Sequence, residues 1–148
     1  MSKFYLIEPE ICGRVDSTSV SDGRQLIALC YEFDAWLGDD LIGDFQVFMC
    51  TEHLASQLKQ IEPPITGVSF DKCTSSKSDE YSYYEIQNRS GRPRELPVFT
   101  WLRVNGQAGT DDMGELDKET GLVVSERVLE VIKSCRLDQA EIREYMGD

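Results

Sequence analysis

Apolar positions in this chain come in short runs whose period changes from one segment to the next. The run "KFYLIEP", residues 3 to 9, mixes aromatic and aliphatic side chains and stops at Pro9, which predicts a first strand closed by a turn. Residues 13 to 24, "GRVDSTSVSDGR", are polar and end on an Asp-Gly turn signal, so a loop is expected there. "QLIALCYEFDAWL", 25 to 37, is apolar enough for a buried strand leading into Trp36. A helical period first shows in "TEHLASQLKQI", where Leu54, Leu58 and Ile61 fall at i, i+4 and i+7 on one face. Thr51 is positioned to cap that helix, and Pro63-Pro64 block its continuation. "ITGVSFDK" then alternates Val68 and Phe70 with Gly67 and Ser69, the period of a half-exposed strand.

The same order recurs 74 residues later. Thr51-Glu52-His53 lands on Ser125-Glu126-Arg127, Leu54 on Val128, Leu58 on Ile132 and Val68 on Ile142, with no gap. "VFMC" before the first cap matches "GLVV" before the second. Further upstream, Trp36-Leu37 and Gly38-Asp39-Asp40 have counterparts in Trp101-Leu102 and in Gly109, Asp111 and Asp112, separated by a longer loop. Two copies are too few for a solenoid, so the repetition predicts one domain over residues 1–148 with internal halves at about 26–73 and 96–146. It also decides an ambiguity. "DQAEIREYM" has a capping-box look, Asp138 with Glu141, but its partner segment reads as a strand, and a strand is expected. The fold expected is α+β: a single domain with a mainly antiparallel mixed sheet and two short helices in a pseudo-duplicated β-α-β arrangement.

Between the halves, "EYSYYEIQ" reads as an exposed strand and "NRSGRPR" as a turn carrying Arg89, Arg92 and Arg94. With 148 residues the chain is long enough to bury roughly 68 to 70% of its unfolded surface, and 41% hydrophobic with 28% charged residues is the composition of a folded globular domain. "MSKFYLIEPE" holds no hydrophobic region long enough for a signal peptide, and no later run approaches the ~20 apolar residues of a membrane span, so a cytoplasmic protein is expected. Five scattered cysteines without a C-x-x-C pair suit reduced thiols in that compartment rather than a disulfide framework. Against 27 Asp and Glu stand 15 Lys and Arg, a net charge of -12. A field of that sign repels nucleic acid and anionic membrane and attracts basic partners.

Ser-Glu-Arg at 125 to 127 invites a catalytic reading, but a nucleophilic serine needs a base held in reach. The single histidine, His53, falls in the first turn of the other helix, and the G-x-S-x-G elbow is missing. The helix-start reading accounts for more: Ser125 and Thr51 accept from an unpaired first-turn amide, worth ~1 kcal/mol against Ala, and Glu126 and Glu52 complement the helix dipole. Cys50-x-x-His53 lacks the second ligand pair of a structural zinc site, and "GDDLIGD" puts carboxylates where a phosphate loop needs amides and a lysine. No catalytic residue, metal or cofactor is expected, and the chain is not expected to be an enzyme.

The acidic groups carry the sharper expectation. Asp39, Asp40 and Asp44 in one half, and Asp111, Asp112, Glu115, Asp117 and Glu119 in the other, follow turn glycines and are expected on loops. There they serve as solvated turns and caps, as an acid and base pair if a cleft separates their pKa values, or as the steering surface for a basic protein partner. Trp36, Tyr81, Tyr83 and Tyr84 are the aromatic anchor candidates beside them, with Trp36 and Trp101 equally suited to the core. On this reading, reversing Asp111 and Asp112 to Lys weakens partner binding and leaves stability nearly intact.

The segments "FDAWLGDDL", "TEHLASQL", "ELPVFTWLRVNGQAGTDDMG" and "LVVSERVLEVIKS" resemble a family of bacterial immunity proteins, formerly a domain of unknown function, encoded beside polymorphic or contact-delivered toxins. The resemblance spans about residues 26 to 146. It implies that the protein binds a cognate toxin domain in the cytoplasm and silences it, with nucleases and ADP-ribosyltransferases among the toxin types. The acidic loops would then occlude a basic active or substrate-binding site. An adaptor or structural subunit of a secretion system is the alternative, followed by a small enzyme acting as antidote.

Overall fold

The computed structural model describes residues 3–23, 25–44, 47–81, 83, 96–116 and 121–147. The chain runs β1 (Phe4–Glu8), β2 (Gly13–Val15), β3 (Val20–Asp22), β4 (Gln25–Phe33), β5 (Leu41–Asp44), β6 (Val47–Thr51), α1 (Glu52–Lys59), β7 (Val68–Lys77), β8 (Phe99–Val104), β9 (Met113–Glu115), β10 (Leu122–Ser125), α2 (Glu126–Ser134) and β11 (Glu141–Tyr145). It is an α+β domain of mainly antiparallel, mixed sheet. A third helical stretch begins at Asp79, where the sequence reads as an exposed strand from Glu80; Arg89, Arg92 and Arg94 lie outside the described residues. Residues 13 to 24, expected as a loop, carry the short strands β2 and β3, both paired to β4.

The strands form two sheets. One has the order β11-β1-β10-β9, the other β2-β4-β7-β8-β6-β5 with β3 also on β4. Within this order lies a repeat. β8 sits antiparallel between β6 and β7, and β1 sits antiparallel between β10 and β11. The registers correspond residue by residue. Cys50 opposite Thr100 and Leu41 matches Val124 opposite Tyr5 and Met113, and Phe70 opposite Leu102 matches Ile142 opposite Ile7. The first strand of each half has therefore been exchanged into the sheet of the other.

Two details of the sequence alignment change with this. Ile142 corresponds to Phe70 and not to Val68, because the connection after α2 is two residues shorter than that after α1. Trp101 lies in β8, whose counterpart residue is Leu6, whereas Trp36 follows β4, so the two tryptophans are not equivalent. Asp39-Asp40 and Asp111-Asp112 do stand at matching places, directly before β5 and β9.

Both helices lie on the same core. Leu54 and Leu58 of α1 and Val128 and Ile132 of α2 bury against Ile7, Leu41, Cys50, Leu102, Met113 and Val124. The opposite face of the larger sheet carries a second core, where Leu29, Tyr31 and Phe33 from alternate positions of β4 meet Ile42, Met49, Phe99 and Trp101. Phe33 stacks on Phe99 at 5.1 Å, and Trp36 meets the same ring edge-on. Where the halves cross, Gly67 (φ +86) leaves room for the backbone of Met113; a Cβ there would stand 2.2 Å from its carbonyl oxygen. Among the described residues no helix is long and apolar enough to cross a membrane.

Candidate functional site

The acidic residues separate into two groups by what they touch. Asp39 is fully buried and accepts from the backbone N–H groups of Asp138 and Gln139, each at 2.8 Å. Asp40 accepts from the hydroxyl of Thr51 at 2.5 Å and from the backbone N–H of Arg136 at 2.7 Å. In the matching half, Asp112 accepts from the hydroxyl of Ser125 at 2.7 Å, the backbone N–H of Thr66 at 2.9 Å, and Nε and Nη2 of Arg127 at 3.0 and 2.8 Å. Asp39 and Asp40 in one half, and Asp112 in the other, thus grip the segment that follows the helix of the opposite half. Asp111 accepts from the N–H of Gln107 at 2.7 Å and closes its own loop.

This corrects the expectation of solvated acidic loops. Turn glycines do precede these residues, but the turns are folded beneath neighbouring chain, and a buried carboxylate needs partners to remain charged. Arg127 first, then Ser125 and Thr66, hold the Asp112 carboxyl well below the usual carboxylate range. Asp39, Asp40 and Asp112 are braces of the fold. The expectation that reversing Asp112 leaves stability intact is corrected with them.

The caps and aromatics divide as well. Thr51 accepts from Leu54 N–H at 3.3 Å as expected of a cap. Ser125 stands at the equivalent position but makes no side-chain cap bond, its hydroxyl being turned to Asp112. Tyr81 and Trp36 are buried in the second core, so neither is a surface anchor. Tyr83 is 65% exposed, while Tyr84, Asp117 and Glu119 lie outside the described residues.

Asp44 is the acidic candidate left at a surface cleft. Beyond β1 the chain runs alongside β5, with Glu10 bridged to Ile42 and the N–H of Gly43 donating to the carbonyl of Glu10 at 3.0 Å. Glu10 turns inward, accepting from the thiol of Cys12 at 3.1 Å and the N–H of Leu37 at 2.9 Å. Its neighbours turn outward. Pro9 and Phe48 wall a cleft of 180 Å³, Glu8 and Asp44 stand on its rim, and Ile11, 66% exposed, forms its lip. Gly43 keeps the cleft open: a Cβ there would come within 2.8 Å of the Phe48 ring and 3.0 Å of Pro9. Burial raises the Asp44 carboxyl, opposed in part by Arg14. The Arg14 guanidinium is itself engaged by Glu32 and Asp34. On the far side of Glu8 a second cleft of 320 Å³ is lined by Leu6, Glu141, Ile142 and Arg143.

Glu8 and Ile11 escaped the sequence reading. The pattern of "KFYLIEP" marks only a strand ending at Pro9; the signal the sequence offers is an isoleucine directly after Glu-Pro-Glu, outside any periodic run.

A third hollow, of 680 Å³, lies where the end of β7 parts from residues 96–99. Its thiol, Cys73, is pushed up to about 11 by burial, the opposite of what a nucleophilic cysteine requires. Cys50 likewise rises to about 12. Among the described residues the most perturbed acid apart from Asp112 is Glu115, raised to about 7 by burial alone; it is not a residue of the Asp44 cleft, so these two carboxyls do not form an acid and base pair across it. Among the described residues no three His, Cys, Asp or Glu side chains stand together as metal ligands. Neither the protein-family models nor the curated proteins give a match to the chain.

Proposed function

We propose that this chain is a binding protein of the immunity type, docking on a cognate basic toxin domain in the cytoplasm and covering its active or substrate-binding surface. The observation that carries this reading is the cleft beside Glu8. It has an apolar wall, an exposed isoleucine at its lip and two rim carboxylates that form no ion pair among the described residues. Apolar centres bordered by uncompensated charge are built for protein association: the apolar part supplies affinity, and the charge selects and steers the partner. The net charge of -12 extends the same preference to the whole surface.

The test is co-expression of the full chain with the toxin domain encoded beside its gene, scoring growth and then isolating the pair. Rescue with a stable complex is the expected result. Rescue without a complex would replace the reading by an enzymatic antidote, and absence of both would leave an adaptor role.

A further inference from the structure

We infer that the cleft between Glu8 and Asp44 is an anchor pocket for one long cationic side chain, arginine or lysine, presented by a protein partner. The inference rests on the binding-protein reading and names the chemistry its surface selects. A volume of 180 Å³ lies below the roughly 300 to 1,000 Å³ of sites that enclose small molecules, and suits a single side chain. The walls match the two parts of such a chain. Pro9 and Phe48 offer apolar surface to an aliphatic stem, and Asp44 and Glu8 receive the charged head at the rim.

Charge decides against the other occupants. An apolar side chain would desolvate Asp44 further and give its carboxylate no partner, which is the costly arrangement. An acidic one would meet two carboxylates. The cleft on the other side of Glu8 already carries a cation, Arg143, and is the poorer receptor for a second. The Asp44 carboxylate has no hydrogen bond or ion pair among the described residues, and the guanidinium whose charge it feels, Arg14, is committed to Glu32 and Asp34. An incoming cation therefore supplies the partner that Asp44 lacks. Because the burial-raised Asp44 must be ionised to receive it, binding strengthens as pH rises through the Asp44 pKa, above the ordinary carboxylate value.

The pocket is tested without the toxin. Isotope-labelled full chain is titrated with Nα-acetyl-arginine amide and Nα-acetyl-lysine amide, followed by the backbone resonances, with Nα-acetyl-glutamine amide as the uncharged control. Saturable shifts at Ile11, Gly43, Asp44 and Gly121 are expected with the two cations and not with glutamine. They weaken about five-fold in Asp44→Asn, an ion pair's worth. Glu8→Gln, on the exposed side of the rim, serves the same purpose should Asp44→Asn alter the fold. Equal shifts around Glu32 and Glu144, no shifts at all, or full binding by both variants would overturn the pocket. Loss of toxin rescue with probe binding intact would instead remove the immunity reading and leave the pocket standing.

Discussion

Ser125 donates its hydroxyl to Asp112 at 2.7 Å, as Thr51 donates to Asp40 at 2.5 Å in the other half. In each half the residue at the start of the helix is tied to the carboxylate that precedes the first strand of the β-hairpin leading into that helix. The carboxylate in turn holds a backbone amide from beyond the other helix. The two halves are locked by carboxylates, and this makes Asp112 the point where stability should be most sensitive.

Asp112→Asn is expected to cost about 2 to 3 kcal/mol, since it weakens a largely buried acceptor of five hydrogen bonds, the Thr66 hydroxyl's at 3.4 Å being the longest; the partial exposure of Arg127 keeps the loss at the lower end. The pH dependence carries a definite sign. Because the folded carboxyl is held below its unfolded value of ~3.9, its contribution is fully present above that value and is lost as pH falls toward the folded pKa. Chemical denaturation between pH ~2 and ~7 should show part of the acid destabilisation disappearing in the variant. An unchanged acid profile would sink the assignment.

Thr51→Ala and Ser125→Ala should differ. Thr51 caps Leu54 and holds Asp40, so its loss removes two bonds, about 1 to 2 kcal/mol. Among the described residues the Ser125 side chain bonds only to Asp112, which keeps its bidentate Arg127 when the hydroxyl is gone, and ~1 kcal/mol or less is expected. Equal costs by urea denaturation would show that the two helix starts are energetically the same despite their different bonding.

The helices and most strands were legible because periodicity is local. Leu54 and Leu58 mark α1, and the alternating pattern preserved β7; even the strand at 141 to 145 follows from its counterpart. The strand exchange was not legible, since nothing in "KFYLIE" records whether its neighbours will be β6 and β7 or β10 and β11. The acidic pairs show the same boundary. Asp39 and Asp40 read as turn residues from their glycine, and only tertiary contact with Asp138 and Arg136 turns them into braces, Asp39 fully buried and Asp40 partly so. Ser125 differs more narrowly: it stands at the N-cap as the sequence predicts, but a nearby carboxylate competes for the hydroxyl.

Strand exchange has its own consequence. A fragment of residues 1–88 lacks β8, which lies between β6 and β7, and a fragment of residues 89–148 lacks β1, which lies between β10 and β11. Neither fragment should melt cooperatively alone, whereas the two mixed should assemble one-to-one and regain the parent's circular dichroism. A sharp thermal transition in either isolated fragment would contradict the exchanged topology.

Glu115 should work against the fold at neutral pH. Burial raises its carboxyl to about 7, above the unfolded ~4.3, so the folded state binds the proton more tightly. Stability therefore falls as pH rises from about 4 to about 7, and Glu115→Gln should remove that fall. With the side chain only partly buried, solvent screening limits the gain at pH ~8 to the order of 1 kcal/mol. A variant no more stable at pH ~8 than at pH ~4.5, each relative to the parent, would show that the carboxyl is better solvated than its surroundings imply.

At the proposed interface the useful substitutions lie on the rim. Glu8→Lys and Ile11→Asp change side chains that the cleft presents outward, and each should leave stability within about 0.5 kcal/mol. Against the toxin domain each should lower affinity about ten-fold or more, Ile11→Asp by placing a charge at the apolar lip and Glu8→Lys by opposing a basic partner. The salt dependence separates them. Glu8→Lys removes part of the attraction, so its association rate should respond less to added salt than the parent's, whereas Ile11→Asp should act mainly through faster dissociation. Glu130→Lys, an exposed helix residue outside the cleft, makes the same change in net charge and serves as the control. If it weakens binding as much as Glu8→Lys does, the partner senses overall charge and the cleft is not the interface.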